Sequence, residues 1–254
     1  MKEAAGTALV TGGSKRLGRA IVEDLAAHGF AVAIHANSSL DTAEALAAEI
    51  NLAGGRAAAI GADLTDMAAA AGLIDRAARQ LGPISLLVNN ASIFENDSVL
   101  DFDWQNWDRH FAIHVKAPAI LTQTFAKALP AALDGLVVNI VDQRVWRPTP
   151  HYFSYTLSKS ALWAATQTMA QALAPRIRVN AIGPGPSLRS ARQSDQDFQH
   201  QVDNLMLKRG PELPEFGATI RYLWQARSIT GQMIALDGGQ HLAWQTPDVT
   251  GMVE

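Results

Sequence analysis

TALVTGGSKRLGRAIVEDLAAHG, residues Thr7 to Gly29, is the stretch on which the fold turns. Thr7 to Thr11 is a short apolar run that reads as a buried strand. Gly12 and Gly13 break it, and Ser14, Lys15, Arg16, Leu17 and Gly18 follow. From Arg19 to His28 the pattern turns helical, with Ile21, Leu25 and Ala26 on one face. Strand, glycine turn, helix is the layout of a phosphate-binding βα unit. Glycine lets the backbone approach a pyrophosphate, and the helix start offers free N–H groups and the positive dipole end. A glycine turn alone is a weak sign. Its place between a strand and a helix is the context such a motif requires.

The same alternation continues outward. Phe30 to Ala36 reads as a second strand. Dinucleotide-binding folds often set a carboxylate at its end for the ribose hydroxyls of NAD. Here the end reads His35, Ala36, Asn37, Ser38, Ser39, without an acid. Hydroxyls there, with Lys15 and Arg16 in the turn, suit the extra phosphate of NADP. Ordinary surface charge is the plain alternative for the two cations. A helix over 41–52 ends at Gly54 and Gly55. Arg56 to Ala62 is a third strand closing on Asp63 and Leu64. Asp63 either meets the adenine or caps the helix expected over 66–81. Ile84 to Val88 is fully apolar, as a central parallel strand should be, and ends in Asn89, Asn90, Ala91 and Ser92. Helices are expected over 104–114 and 117–132, with Trp104 and Trp107 as helix packing. A fifth strand over 136–141 precedes a long helix over 152–173, and a sixth strand covers 176–182. Residues 183–210 are polar and start with Pro/Gly punctuation, which reads as a mobile or partly helical loop covering the substrate. A helix over 212–226 and a last strand over 231–236 complete the series. No composition break or repeat intervenes. Residues 1–254 therefore read as a single α/β domain, doubly wound and Rossmann-type, around a mostly parallel seven-stranded sheet. The tail, 243–254, is too long to belong to the last strand.

The 254 residues are 48% hydrophobic, ample for a core of that size. A net charge of −3 lacks the basic excess that nucleic acid or an anionic membrane surface would require. The absence of cysteine removes disulfides and thiolate metal sites and fits a reducing compartment; no metal is expected. MKEAAG carries no signal-peptide pattern, and no apolar run reaches the ~20 residues that span a bilayer. The expectation is a soluble, cytoplasmic protein without membrane or nucleic-acid partners.

The chemistry gathers in VDQRVWRPTPHYFSYTLSK, residues 141–159. Tyr155 and Lys159 stand four apart, one turn above each other on a helix. A cation there would lower the pKa of the phenol toward working pH and fit it for proton transfer. Asp142 follows the fifth strand, at the sheet edge where ligands of open α/β folds bind. A Tyr-x-x-x-Lys pair on its own is most often a solvated helix face.

Taken together, TGGSKRLG, NNAS, the Tyr155–Lys159 pair, NAIGPG and ITGQMIALDGG resemble the short-chain dehydrogenase/reductase family over nearly the whole chain. The resemblance implies a Rossmann-type fold, a nicotinamide cofactor and a homotetramer that pairs the helices near 117–132 and 152–173. It implies Tyr155 as proton donor or acceptor, and Lys159 as a ligand of the nicotinamide ribose that tunes the tyrosine. Asn90, Ala91, Ser92, Pro184, Gly185 and Ser187 join Gly12, Leu17 and the turn residues as expected cofactor contacts. The departures from the family pattern are more informative. Arg16 stands where a second glycine is usual, Asp142 where a catalytic serine is usual, and His114 replaces an asparagine. These departures, with Phe94 after NNAS and the ending LDGGQHL, resemble the pteridine reductases and dihydromonapterin reductases.

An ionised Asp142 has no proton to donate to a carbonyl and would repel a developing alkoxide. A pterin instead offers amino and ring N–H donors, and its reducible C=N bond needs a proton on nitrogen. Phe94 could supply one wall of a flat slot, with the nicotinamide as the other. Trp146, Tyr152 and Leu188 either line the substrate pocket or pack the loop. His114 either relays protons or holds backbone near Lys159. The expected activity is NADPH-dependent reduction of a dihydropterin, with dihydromonapterin, dihydrobiopterin or dihydrofolate as substrate. The rivals are a carbonyl or alcohol oxidoreductase and a regulatory NADP(H)-binding protein without turnover.

Overall fold

The computed structural model describes residues 5–189 and 193–251. Residues 190–192 of the expected covering loop and 252–254 of the expected tail lie outside it.

Among the described residues one sheet runs through the molecule in the order β3-β2-β1-β4-β5-β6-β7. The strands are β1 (Gly6–Val10), β2 (Phe30–Ala36), β3 (Arg56–Gly61), β4 (Leu86–Asn89), β5 (Gly135–Ile140), β6 (Ile177–Pro184) and β7 (Met233–Leu236). Every pairing is parallel, with Val10 beside Ile34 on one side and Val88 on the other. Parallel strands with both faces covered are apolar at most positions, and β1, β2, β4 and β5 are, with Thr7, His35, Asn89 and Asn139 as their buried polar residues. Alternate residues of one strand serve opposite cores. Ala8 and Val10 pack with Ile21, Leu25, Phe216 and Ile220 on one face, whereas Leu9 packs with Leu73, Leu121 and Phe125 on the other. Burying Phe125 and Phe216 completely contributes about 2–3 kcal/mol each.

The first face carries α1 (Arg16–Ala27), α2 (Leu40–Leu52) and α9 (Leu213–Gln225). The second carries α3 (Met67–Ala71), α4 (Leu73–Leu81), α6 (Ala117–Ala128) and α7 (Phe153–Leu173). Helix α5 (Trp104–Phe111) joins α6 through a π-helical turn over Ala112–Lys116, and α8 (Asp195–Asp203) sits in the covering loop.

Several boundaries differ from expectation. Helix α1 begins at Arg16 rather than Arg19. Arg16 takes φ 51, the left-handed conformation that the usual glycine adopts without strain. The helix expected over 66–81 is two helices broken at Gly72, and its N-cap is Asp66, whose carboxylate accepts from the Ala68 and Ala69 amides. Asp63 instead accepts from the amide and hydroxyl of Thr65, so it does not cap that helix. Trp107 packs against Phe102, Phe111 and Phe153, as helix packing predicts, whereas Trp104 touches Phe102 and Trp107 but stays 67% exposed. No described helix is long and apolar enough to cross a membrane.

Candidate active site

Strand order reverses between β1 and β4, and a cleft of about 500 Å³ opens there at the carboxyl edge of the sheet. The turn after β1 forms one wall. Gly12 has φ +61, and a Cβ on it would lie 3.1 Å from the Ala91 Cα. A Cβ on Gly18 would meet the Gly12 carbonyl oxygen at 2.0 Å, so α1 approaches β1 this closely only through glycine. Asn90 holds the turn by donating to the carbonyls of Thr11 and Gly12 at 2.9 and 3.1 Å. His35 holds it from the other side. Its Nδ1 accepts the Gly12 amide at 3.1 Å while Nε2 bonds the Ala62 carbonyl at 3.0 Å. Burial lowers the pKa of His35, consistent with this neutral tautomer. Ser14 and Ser39 hydroxyls meet at 2.8 Å, and Lys15 is exposed beside them.

Gly12, Ser14, Lys15, Arg16, Leu17 and Ser39 all line the cleft. So do Asn90, Ala91, Ser92, Pro184, Gly185 and Ser187 from other elements. Asn37, Ser38, Asp63 and Leu64 do not line it, and Leu64 is packed in the core. The Arg16 guanidinium donates to the carbonyls of Leu188 and Arg189, tying the glycine turn to the covering loop.

At the far wall, β5 delivers Asp142 and α7 delivers Tyr155 and Lys159. The Tyr155 hydroxyl donates to Asp142 Oδ2 at 2.9 Å. Arg144 clasps the same carboxylate, through its amide to Oδ1 at 2.8 Å and its Nη1 to Oδ2 at 3.2 Å. Lys159 Nζ donates to the Ile140 carbonyl at 2.8 Å and lies 5.7 Å from the Tyr155 ring centroid.

The electrostatics correct the expected tuning of the phenol. Burial, the charge of Asp142 and its hydrogen bond push the Tyr155 pKa well above 10, opposed by Arg144 and Ser92. The net shift is upward, so the cation four residues on does not bring the phenol toward neutrality. Burial lowers Lys159 itself to about 8, although Asp142 favours its charge. The site therefore holds a neutral phenol against an acceptor, an arrangement that releases a proton only to a strong base.

Phe94 lines the cleft, stacks on Tyr152 at 4.2 Å and meets the Tyr155 ring edge-on at 4.7 Å. Leu188 and Tyr152 line the cleft, but Trp146 does not; its ring packs against His241 and Trp163. His114 is fully buried and edge-on to Tyr155 at 5.3 Å. Burial and the charge of Lys159 hold it well below the ordinary histidine pKa. Sequence reasoning passed over Arg144, His35 and His110. For His110 a signal existed, since it lies one helical turn before His114.

Known proteins of this shape bear on the site. A crystal structure of FolM alternative dihydrofolate reductase 1 from Brucella canis, complexed with NADP, is 62% identical, with a TM-score of 0.95 over 98% of this chain and 100% of that one. A short chain dehydrogenase from Burkholderia cenocepacia in complex with NADP is 33% identical, with a TM-score of 0.86 over 94% and 99% of the two chains. A sorbitol dehydrogenase of Cereibacter sphaeroides is 33% identical over 255 residues, covering 96% of each chain. Residues 6–199 match the short chain dehydrogenase family, and the chain belongs to it.

Proposed function

We propose that this chain is an NADPH-dependent reductase of dihydropterins. One observation carries the proposal: a carboxylate, Asp142, takes the place of the usual serine and accepts the hydroxyl hydrogen of Tyr155 at 2.9 Å. The similarity to a dihydrofolate reductase solved with NADP supports it.

The residues present fit the cofactor. Gly12, through its positive φ, shapes the turn, and Gly18 lets the start of α1 sit close against it, which suits a pyrophosphate at the helix N-terminus. The Ser14–Ser39 hydroxyl pair, with Lys15 beside it and no acid at the end of β2, suits a ribose 2′-phosphate. NADPH, when bound, supplies the hydride.

The chain's own residues then divide the remaining work. Asp142 Oδ1 has taken one N–H donor and keeps capacity for a second, which the pterin amino group or a ring N–H can fill. Phe94 and Tyr152 offer aromatic surface for a flat heterocycle. Tyr155 is held neutral and gives its proton to the ring nitrogen beside the carbon that gains hydride. That nitrogen, having gained an electron pair, is a base strong enough to take it. Lys159, cationic below about pH 8, offsets the phenolate left behind. The C=N bond becomes CH–NH and the product is a tetrahydropterin.

The test is NADPH oxidation by the pure protein, with dihydromonapterin, dihydrobiopterin and dihydrofolate beside a panel of ketones and aldehydes. Turnover of pterins that falls about 10²-fold or more in Tyr155→Phe, and collapses in Asp142→Ala, supports the proposal. Turnover of carbonyl compounds alone overturns it.

A further inference from the structure

Behind Tyr155 lies a second set of side chains that the chemistry above does not use. His110 and His114 are four residues apart and both fully buried, with their rings near-parallel at 5.6 Å. Across from them Ser154 and Ser158, also four apart, stand one on each side of Tyr155. His110 Nδ1 lies 2.7 Å from Ser154 Oγ, and His114 Nδ1 lies 2.8 Å from Ser158 Oγ. Each serine has already committed its one hydrogen. Ser158 donates to the Tyr155 carbonyl at 2.7 Å, and Ser154 donates to the buried carboxylate of Asp97. Each serine oxygen must therefore accept from its histidine, which places the ring proton on Nδ1.

The opposite nitrogens are then lone pairs, and their partners are informative. The Ile93 amide donates to His114 Nε2 at 3.3 Å, and the Glu95 amide donates to His110 Nε2 at 3.4 Å. Ser92 Oγ also meets His114 Nε2, at 2.9 Å. Ile93 and Glu95 flank Phe94. Amides 93 and 95 both turn toward the histidines, while Phe94 between them lines the cleft, edge-on to Tyr155 at 4.7 Å.

We propose that His110 and His114 are a pair of positioning residues that clamp the backbone on both sides of Phe94 to the helix on both sides of Tyr155, fixing the aromatic platform against the proton donor. Neither histidine touches substrate or moves a proton. The π-helical turn containing His114 belongs to this device, because it joins α5 to α6 with both rings directed at α7. The role of Phe94 as a pterin platform rests on the function proposed above; the clamp itself does not.

The two jobs of each histidine can be separated. Asparagine can place a donor near the Nδ1 position but reaches no further, whereas glutamine can place an acceptor near Nε2. In full-length His114→Asn we expect the Ile93 amide to exchange with solvent about tenfold faster or more. We expect KM for a dihydropterin to rise about tenfold, with kcat little changed and NADPH affinity within about twofold. His114→Gln should restore most of the amide protection and the KM. The His110 variants should do the same at the Glu95 amide, and they serve if a His114 variant does not fold. If asparagine and glutamine variants behave alike, or if amide protection is lost while KM stays fixed, the clamp is overturned. If the wild type turns over no dihydropterin, the proposed function fails, and the amide exchange of the same variants still supports or overturns the clamp.

Discussion

Lys159 is a buried cation whose charge is lost near neutrality, and this gives the site a pH signature of defined sign. Its pKa is about 8 in the folded chain against 10.5 in the ordinary state. Between those values the unfolded chain binds more protons, so this group makes stability rise with pH. Below pH 8 both states are charged and the full cost is present, about 3 kcal/mol from the gap between 10.5 and about 8. Tyr155, raised by burial and Asp142, acts with the opposite sign, but only above about pH 10. Denaturant unfolding from pH 8 to 10 should show wild-type stability climbing relative to Lys159→Met. Reductase turnover should fall over the same rise, as the charge opposing the phenolate disappears. A flat stability difference would remove Lys159 as a perturbed cation. Arg144 is the second lever. Arg144→Met keeps the backbone contact to Asp142 but loses the guanidinium, and kcat/KM should drop about 10-fold to 100-fold, with partial recovery in Arg144→Lys. An unchanged kcat/KM would leave Arg144 a packing residue. Tyr155, Lys159 and Asp142 were legible because helical spacing and a strand end placed them. The direction of the phenol's shift was not, because spacing carries no account of desolvation. Arg144 was hidden because a short 3-10 turn follows Asp142, and no period predicts where its side chains point.

The βα unit at the start of the chain was read correctly from its glycines, and their separate duties follow from distances. Gly12 needs its positive φ, whereas Gly18 needs the absence of a Cβ. Gly18→Ala would drive a methyl group into the Gly12 carbonyl, so α1 must shift off β1. We expect a loss of about 1–3 kcal/mol and a large loss of NADPH affinity, measured by unfolding and by cofactor titration. Near-normal affinity in that variant would show that the turn does not cradle the cofactor. At α3 the expected outcome is different. Asp66→Ala should cost about 1 kcal/mol through the lost N-cap and leave turnover unchanged, since Asp66 is remote from the cleft lining. The break at Gly72 escaped the sequence because an isolated glycine within a helical pattern can be tolerated without ending the helix. The π-helical turn escaped for another reason: it inserts no unusual residue, and AIHVK continues the apolar spacing of its neighbours.

The whole molecule is ordered by one topological fact, the reversal of strand order between β1 and β4, which puts both motif-bearing loops on one edge. A doubly wound parallel sheet was expected from the alternation of strands and helices, since right-handed crossovers leave few arrangements. The packing of the covering loop was not, since it rests on contacts such as Arg16 with Leu188 that span more than 170 residues. The cleft draws one wall from the turn, α1 and Ser39 after β2, and the other from β5 and α7, so a ligand that fills it fastens both to the folded state. Any such ligand stabilises by mass action, about 2.7 kcal/mol at a hundred times its Kd. For a chain of this length that corresponds to a rise of about 5–10 °C in Tm. We expect NADPH to produce this rise and NADH at the same concentration to produce much less, because NADH lacks the 2′-phosphate proposed to meet Ser14, Ser39 and Lys15. Ser39→Asp should place a carboxylate beside that position and shrink the NADPH shift while sparing or raising the NADH shift. Equal shifts from the two cofactors in the wild type would overturn the phosphate assignment and leave the dinucleotide cradle in place.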